Sequence, residues 1–202
     1  RATTAPLSAI DVSSRLLLVD AFNLIRRIFE ARNGGAERIG DVINAAMRSL
    51  DRALQTHEPT HAVAVFDSHD RTWRHLLYAP YKATRGPTPP ALLAHLDGFR
   101  EAFGSLQVRS LTIPSYEADD PLATLAVGVA AEGGEARILS TDSMFLQLLT
   151  PLVRIFHHFE DREFTVAEVE RRYGVSVSQL IDFWAMAGDS SNNIKGVPRI
   201  GK

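Results

Sequence analysis

Short apolar runs without strict alternation recur along the chain, each separated from the next by residues at helical spacing. They predict strands over 15–20, 61–67, 110–114, 137–141 and 153–156, with Val, Ile, Leu and Phe dominant. Near-continuous apolar strands are what a sheet covered on both faces requires. Helical periodicity predicts helices over 41–56, 90–103, 118–131, 165–173 and 178–187. The fourth opens with Thr165-Val166-Ala167-Glu168, a capping-box pattern, and stops at Gly174, a good residue just past a helix end. Strand followed by helix, repeated, predicts an α/β fold with a parallel sheet. From about Phe164 the strands cease and short helices with Gly/Pro turns take over, so a core over 15–163 precedes a helical region over 164–202.

Composition narrows the class. A chain of 202 residues buries one good core, and 45% hydrophobic content is ordinary for a globular protein. No apolar run approaches the roughly 20 residues that span a bilayer. The stretch from Arg1 to Ser14 lacks the apolar segment of a signal peptide. The absence of cysteine excludes disulfides, thiolate zinc sites and a cysteine nucleophile. A cytoplasmic home with no membrane association is the expectation. The net charge of −2 neither suggests nor excludes a nucleic-acid partner, because a carboxylate-rich site masks local basic surface in the total.

The acidic residues supply the candidate chemistry. Asp20, Asp67 and Asp142 each close an apolar run, Glu117, Asp119 and Asp120 follow the third run, and Asp189 ends an apolar helix. In an open parallel sheet the carboxyl ends of the strands face one crevice, so these carboxylates are predicted to converge. Packed carboxylates raise one another's pKa unless positive charge sits among them, and hard divalent cations with oxygen ligands commonly fill that role. Taken singly, each acid has a plainer use as a turn residue, an N-cap or a complement to a helix dipole. Three acids in four residues, with more at neighbouring strand ends, favour a metal site. Glu117 and Asp120, three apart, are expected to share a face while Asp119 points to one side.

A basic and aromatic segment follows Asp67: Arg71, Trp73, Arg74, His75, Tyr78, Tyr81, Lys82 and Arg85, closed by Gly86-Pro87-Thr88-Pro89-Pro90. Cations neutralise phosphates and rings stack on unpaired bases. Composition alone fits a solvated loop equally well, and the position beside an acidic crevice tips it toward a phosphodiester substrate. The Gly/Pro-rich run from Gly188 to Lys202 offers backbone amides that grip a DNA backbone without reading its sequence. His157-His158 reads as a surface pair, Trp184 as core, and Glu168–Arg172 as a solvated helix face.

Seven motifs in order carry a resemblance across nearly the whole chain, from about Leu16 to Lys202. They are Leu18-Val19-Asp20, Val65-Phe66-Asp67, Tyr81-Lys82-Ala83-Thr84-Arg85, Glu117-Ala118-Asp119-Asp120, Ser140-Thr141-Asp142, Gly188-Asp189-Ser190-Ser191 and Gly196-Val197-Pro198-Arg199-Ile200-Gly201. Together they resemble the bacterial 5′ nucleases of the flap endonuclease and 5′ exonuclease superfamily. Asn23-Leu24-Ile25-Arg26-Arg27 is more similar to the stand-alone members than to the nuclease domain of DNA polymerase I. The resemblance implies a PIN-like parallel-sheet core and a helical arch or clamp at about 70–95. It also implies a C-terminal helix-three-turn-helix that holds duplex DNA, often with potassium, and continues past Lys202. The implied activity is hydrolysis of DNA at 5′ flaps, nicks and 5′ ends in replication and repair, by a monomer using two or more magnesium or manganese ions. One ion would be held by Asp20, Asp67, Glu117 and Asp119, some through water. The second would draw on Asp119, Asp120, Asp142, Asp189 and Asn192. Lys82 and Arg85 would hold the scissile phosphate, with Asp120 as a further catalytic group. DNA contacts would come from Arg74, Tyr78, Tyr81, Lys82 and Arg85, and from main-chain amides around Gly196, Val197, Arg199, Ile200, Gly201 and Lys202.

Two positions depart from the family pattern. The second acid expected two residues beyond Asp142 is Met144, and Gly-Asp-Ser-Ser-Asp-Asn reads Gly-Asp-Ser-Ser-Asn-Asn, with Asn192 replacing a carboxylate. Asn still offers a neutral carbonyl, but Met144 is a poor partner for a hard ion. The second site is therefore expected to bind its metal weakly, or only when substrate phosphate completes the shell. Two other readings stay open: a PIN-type metal-dependent ribonuclease, and a flap-DNA-binding module with little catalysis.

Overall fold

A computed structural model describes residues 12–68 and 70–200, so the expectations for Gly201 and Lys202 lie outside the described residues. The core strands are β1 (Arg15–Asp20), β2 (His61–Val65), β3 (Arg109–Leu111), β4 (Glu135–Leu139) and β5 (Val153–His157), with a short β6 (Arg162–Glu163). Their spatial order is β3-β2-β1-β4-β5-β6; the first five run parallel and β6 pairs antiparallel with β5. The helices are α1 (Ala21–Ala31), α2 (Ile39–His57), α3 (Trp73–Leu77), α4 (Pro90–Leu93), α5 (Leu96–Ser105), α6 (Asp119–Ala131), α7 (Val166–Tyr173) and α8 (Leu180–Ala187). Among the described residues no helix is long and apolar enough to cross a membrane.

Strand β1 shows why the apolar runs lack alternation. Leu17 and Val19 join the core shared with α1, α2 and α5, while Leu16 and Leu18 join the core shared with α6. Both faces of the strand are buried, and each such side chain contributes roughly 1.5–3 kcal/mol. Phe66, Phe99 and Phe103 fill the first layer; Leu122, Ala126, Ile138 and Ile155 fill the second. Sitting mid-sheet, β1 is the point where the chain turns from building toward β3 to building toward β5. The crevice of an open α/β sheet forms at such a switch point, outside the carboxyl ends of the strands.

Several expectations shift. The predicted helix over 90–103 is two pieces: His95 leaves helical geometry (φ −121°, ψ 16°) and its Nδ1 donates to the Ala91 carbonyl at 2.8 Å. Helix α1 was absent from the sequence expectations although Leu24, Ile25, Ile28 and Phe29 recur at helical spacing and are buried. Strand β4 starts and ends two residues early, leaving Ser140 and Thr141 as a connection that serves the crevice. Strand β3 stops at Leu111, ahead of Pro114, which has no N–H to offer a ladder. Trp184 is half-buried rather than core, packed edge-to-face on Tyr173 at 5.9 Å beside a small cluster of Leu146, Val169 and Leu180. Helix α7 has the capping box expected from its sequence, with Thr165 and Glu168 bonded reciprocally, and Gly174 at φ 71°.

The last described elements form a hairpin, β7 (Gly188–Asp189) with β8 (Ile194–Lys195). Gly188 takes φ 77°, and a Cβ on Gly188 would strike the backbone of Gly196, while one on Gly196 would strike that of Met186 and Ala187. Only paired glycines permit this approach, which fixes the loop 190–193 against the rest of the molecule.

The histidine pair corrects a further expectation. His158 is buried and hydrogen-bonds Ser49 on α2, and burial followed by the nearby Arg52 pushes its pKa down to about 4. The unfolded chain therefore binds the proton first, so stability is lost as pH falls from 6.5 toward 4. His158→Gln should flatten urea-unfolding stability across that window by about one proton, on the order of 1.4 kcal/mol per pH unit.

Candidate active site

Asp20 ends β1, caps α1 by accepting from the Asn23 N–H at 3.1 Å, and accepts from Ser140 Oγ at 2.8 Å. Ser140 lies just past β4, so this bond spans the switch point. Beside it Asn23 Oδ1 accepts from the Thr141 N–H at 3.2 Å and from Thr141 Oγ1 at 3.0 Å. Asp67, beyond β2, accepts from the Ala118 N–H at 2.7 Å and so draws the head of α6 to the same place. Asp119 opens α6, and Asp142 caps the short turn Ser143–Leu148 by accepting from the Met144 N–H at 2.8 Å. Asp20, Asp67, Asp119 and Asp142 line a cavity of about 350 Å³, rimmed by Lys82 and Arg85.

The other wall of this crevice is α1, through Phe22, Asn23, Arg26, Arg27 and Glu30. None was singled out as a site residue in the sequence. The signal was available: after Asp20, the polar positions 23, 26, 27 and 30 recur at i+3, i+4 and i+7, a single helix face.

The electrostatics follow from crowding. Burial, and then repulsion from Asp119 and Asp67, holds the Asp20 carboxyl well above the usual range. Burial and repulsion from Asp142, Asp67 and Glu117 push Asp119 up to about 7, against the opposing pull of Lys82. Four oxygen-donor groups crowded into one cavity suit a hard divalent cation. Among the described residues no three of them form a ready-made metal shell.

The basic segment divides between structure and crevice. Lys82 Nζ reaches Glu117 Oε1 at 2.8 Å, and Tyr81 Oη donates to Glu117 Oε2 at 2.8 Å. Arg74 grips both oxygens of Asp120, at 2.5 and 2.9 Å, and stands 3.8 Å from Glu117. Glu117 and Asp120 thus share a cationic neighbour while Asp119 turns to the crevice, as their spacing suggested. Three site expectations look different in this light. Asp120, expected as a metal and catalytic group, is occupied by Arg74 outside the crevice lining. Arg74, expected on DNA, is committed to that ion pair. Tyr81, expected to stack on a base, is buried, leaving Tyr78, at 38% exposed, as the open ring of the two.

Asp189 ends β7 and Asn192 lies in the hairpin loop that follows. Burial raises the Asp189 pKa, but hydrogen bonds from Ser191 and Asn192 outweigh it and leave the group below its usual value. Asn192 Nδ2 contacts Met144 Sδ at 3.8 Å, so the two departures from the family pattern touch each other. The same loop pins the clamp: the Lys82 N–H donates to the Asn192 carbonyl at 3.0 Å and Asn193 Nδ2 to the Pro80 carbonyl at 2.7 Å. Lys82 is held at φ 55°, a left-handed conformation that costs a non-glycine residue about 1 kcal/mol or more and that these bonds impose. Val197, Arg199 and Ile200 stand on the surface beyond the hairpin, with the Val197 N–H donating to the Met186 carbonyl at 2.7 Å. A larger cavity, about 870 Å³, opens on the other side of Asp142 and Asn192 between Trp73, Tyr78, Tyr173 and Trp184.

A mostly parallel α/β sheet with carboxylates gathered at its switch point under a basic clamp defines a phosphodiester-processing class of site. Residues 15–174 match the family described as 5′-3′ exonuclease, N-terminal resolvase-like domain, and the chain belongs to that family. The flap endonuclease Xni of Aeromonas hydrophila is 42% identical over 190 residues, covering 92% of this chain and 71% of that protein. Flap endonuclease Xni of Cronobacter sakazakii is 44% identical over 188 residues, covering 92% of this chain and 72% of that protein. The solved T5 5′-exonuclease with divalent zinc ions is 22% identical with TM-score 0.80, covering 93% of this chain and 71% of that one, a likeness of fold.

Because the folded Asp119 pKa lies near 7 against an ordinary 3.8, the folded state binds the proton more tightly. Metal-free stability should therefore fall as pH rises from about 4 to about 7. Asp119→Asn should raise stability of the metal-free protein at pH 8 by about 4 kcal/mol and leave it nearly unchanged at pH 4, read from urea midpoints.

Proposed function

We propose that the chain is a structure-specific 5′ nuclease that hydrolyses DNA phosphodiester bonds at 5′ flaps, nicks and free 5′ ends, with divalent magnesium or manganese. The observation that carries this is the convergence of Asp20, Asp67, Asp119 and Asp142 beneath Lys82 and Arg85 in one cavity. The relatives named flap endonuclease support the same substrate class.

In this reading the four carboxylates would hold the ions, while both oxygens of Glu117 are taken up by Lys82 and Tyr81. Bound divalent ions would supply a low-pKa water and neutralise charge at the phosphate. Ser140 and the Asn23 amide orient Asp20, and the Ala118 amide orients Asp67, so the acids keep their places while the substrate enters. Lys82 and Arg85, on a segment fixed by the hairpin loop, hold the scissile phosphate and stabilise its growing charge. Tyr78 and Trp73, exposed on the larger cavity, stack on unpaired bases of the displaced strand. Main-chain amides near Gly196 and Arg199 hold the duplex backbone without reading sequence, the Val197 and Ile200 N–H groups being given to the Met186 and Val197 carbonyls. The turn that would carry potassium runs from Gly196 beyond the described residues. One chain completes the crevice, which suits a monomer, and the lack of cysteine suits a reducing cytoplasm.

The test is single-turnover cleavage of an end-labelled 5′-flap duplex with manganese, beside a matched RNA flap. Asp119→Ala and Lys82→Ala should each slow DNA cutting near the junction by 100-fold or more, taking about that factor from loss of one electrostatic stabiliser. Preferential RNA cutting would favour the ribonuclease, and tight flap binding without cutting would favour the binding module.

A further inference from the structure

Asn192 is 4% exposed, and its side-chain amide is used at both ends. Its Oδ1 accepts from Arg85 Nη2 at 2.9 Å, and its Nδ2 donates to Asp189 Oδ2 at 2.5 Å. The adjoining Ser191 carbonyl accepts from Arg85 Nε at 3.1 Å, so the guanidinium is held by two acceptors on one loop. A guanidinium has five N–H donors, which leaves three for a phosphate. Arg85 and Asn192 both line the acidic crevice with Asp142.

The residue type at 192 decides what this corner can hold. A carboxylate there accepts from Arg85 but has no proton for Asp189, and two carboxylate oxygens at that spacing repel unless a cation lies between them. An amide satisfies both neighbours at once. Met144, beside it, adds no charge. We propose that Asn192 is a positioning residue that fixes the Arg85 guanidinium at the crevice rim, so that this corner draws its positive charge from a fixed arginine. The proposal rests on the nuclease reading above and assigns Asn192 a role through Arg85, without contact to the substrate.

The test is a double-mutant cycle in single-turnover 5′-flap cleavage with manganese, with binding of the same duplex measured in calcium. Arg85→Ala should slow cleavage about 100-fold, as loss of a charge-stabilising donor does. Asn192→Ala should slow it about tenfold with flap affinity within about twofold, and the double variant should be no slower than Arg85→Ala alone, because the two act as one unit. Arg85→Lys should recover little, since one ammonium cannot span both acceptors. Multiplying losses in the double variant, full recovery by Arg85→Lys, or an Asn192→Ala effect confined to affinity would overturn the positioning role. Failure of the unaltered chain to cut would overturn the nuclease reading itself; coupling of the pair seen then only in urea unfolding would mark the contact as structural and end the proposal with it.

Discussion

Mutual repulsion among Asp20, Asp67, Asp119 and Asp142 is the constraint around which the rest of the molecule is arranged. Burial, and then repulsion from the neighbouring acids, raises the pKa values of Asp20 and Asp119, so ionising these two opposes folding. The doubly covered sheet supplies the burial that holds them there, with β1 packed on both faces by apolar side chains. Local hydrogen bonds then fix each acid separately: Ser140 and Asn23 for Asp20, the Ala118 amide for Asp67, the Met144 amide for Asp142. Such a site is preorganised for a cation, because the electrostatic cost is borne before any ligand arrives.

The clamp shows how one segment serves two ends. Arg74 and Tyr81 are given over to Asp120 and Glu117, which fastens the segment to the head of α6. Lys82 and Arg85 remain at the crevice rim, and the loop between β7 and β8 holds them through backbone and side-chain bonds. The hairpin can reach that position only because Gly188 and Gly196 pass without Cβ atoms between them. The glycine-bearing hairpin, the basic segment and the carboxylate crevice are thus coupled through a few short contacts.

The departures from the family pattern become one feature once placed in space. Met144 and Asn192 lie 48 positions apart in sequence and meet at 3.8 Å. At this corner Asp189 is bonded to Ser191 and to the Asn192 amide and its pKa lies below the usual value, in contrast to the raised pKa values of Asp20 and Asp119.

The sequence by itself determined the parallel α/β class, because near-continuous apolar strands alternating with helical periods fit no other arrangement so well, and it determined that acids would collect at the strand ends. It also carried the capping of α7 in Thr165, Glu168 and Gly174. Which acids would share the crevice was a matter for tertiary structure: Asp120 and Asp119 are neighbours, yet one faces Arg74 from α3 and the other faces Asp142 after β4. The same holds for Tyr78 and Tyr81, alike in the sequence but sorted into exposed and buried by the packing of the clamp on Glu117. The polar face of α1 could be read from its spacing, but that it would wall the crevice could not, any more than the burial of His158 against Ser49, since periodicity reports which residues share a face and leaves open what that face will meet. Partners distant in the chain set the charge and exposure of each group, and only the fold brings those partners together.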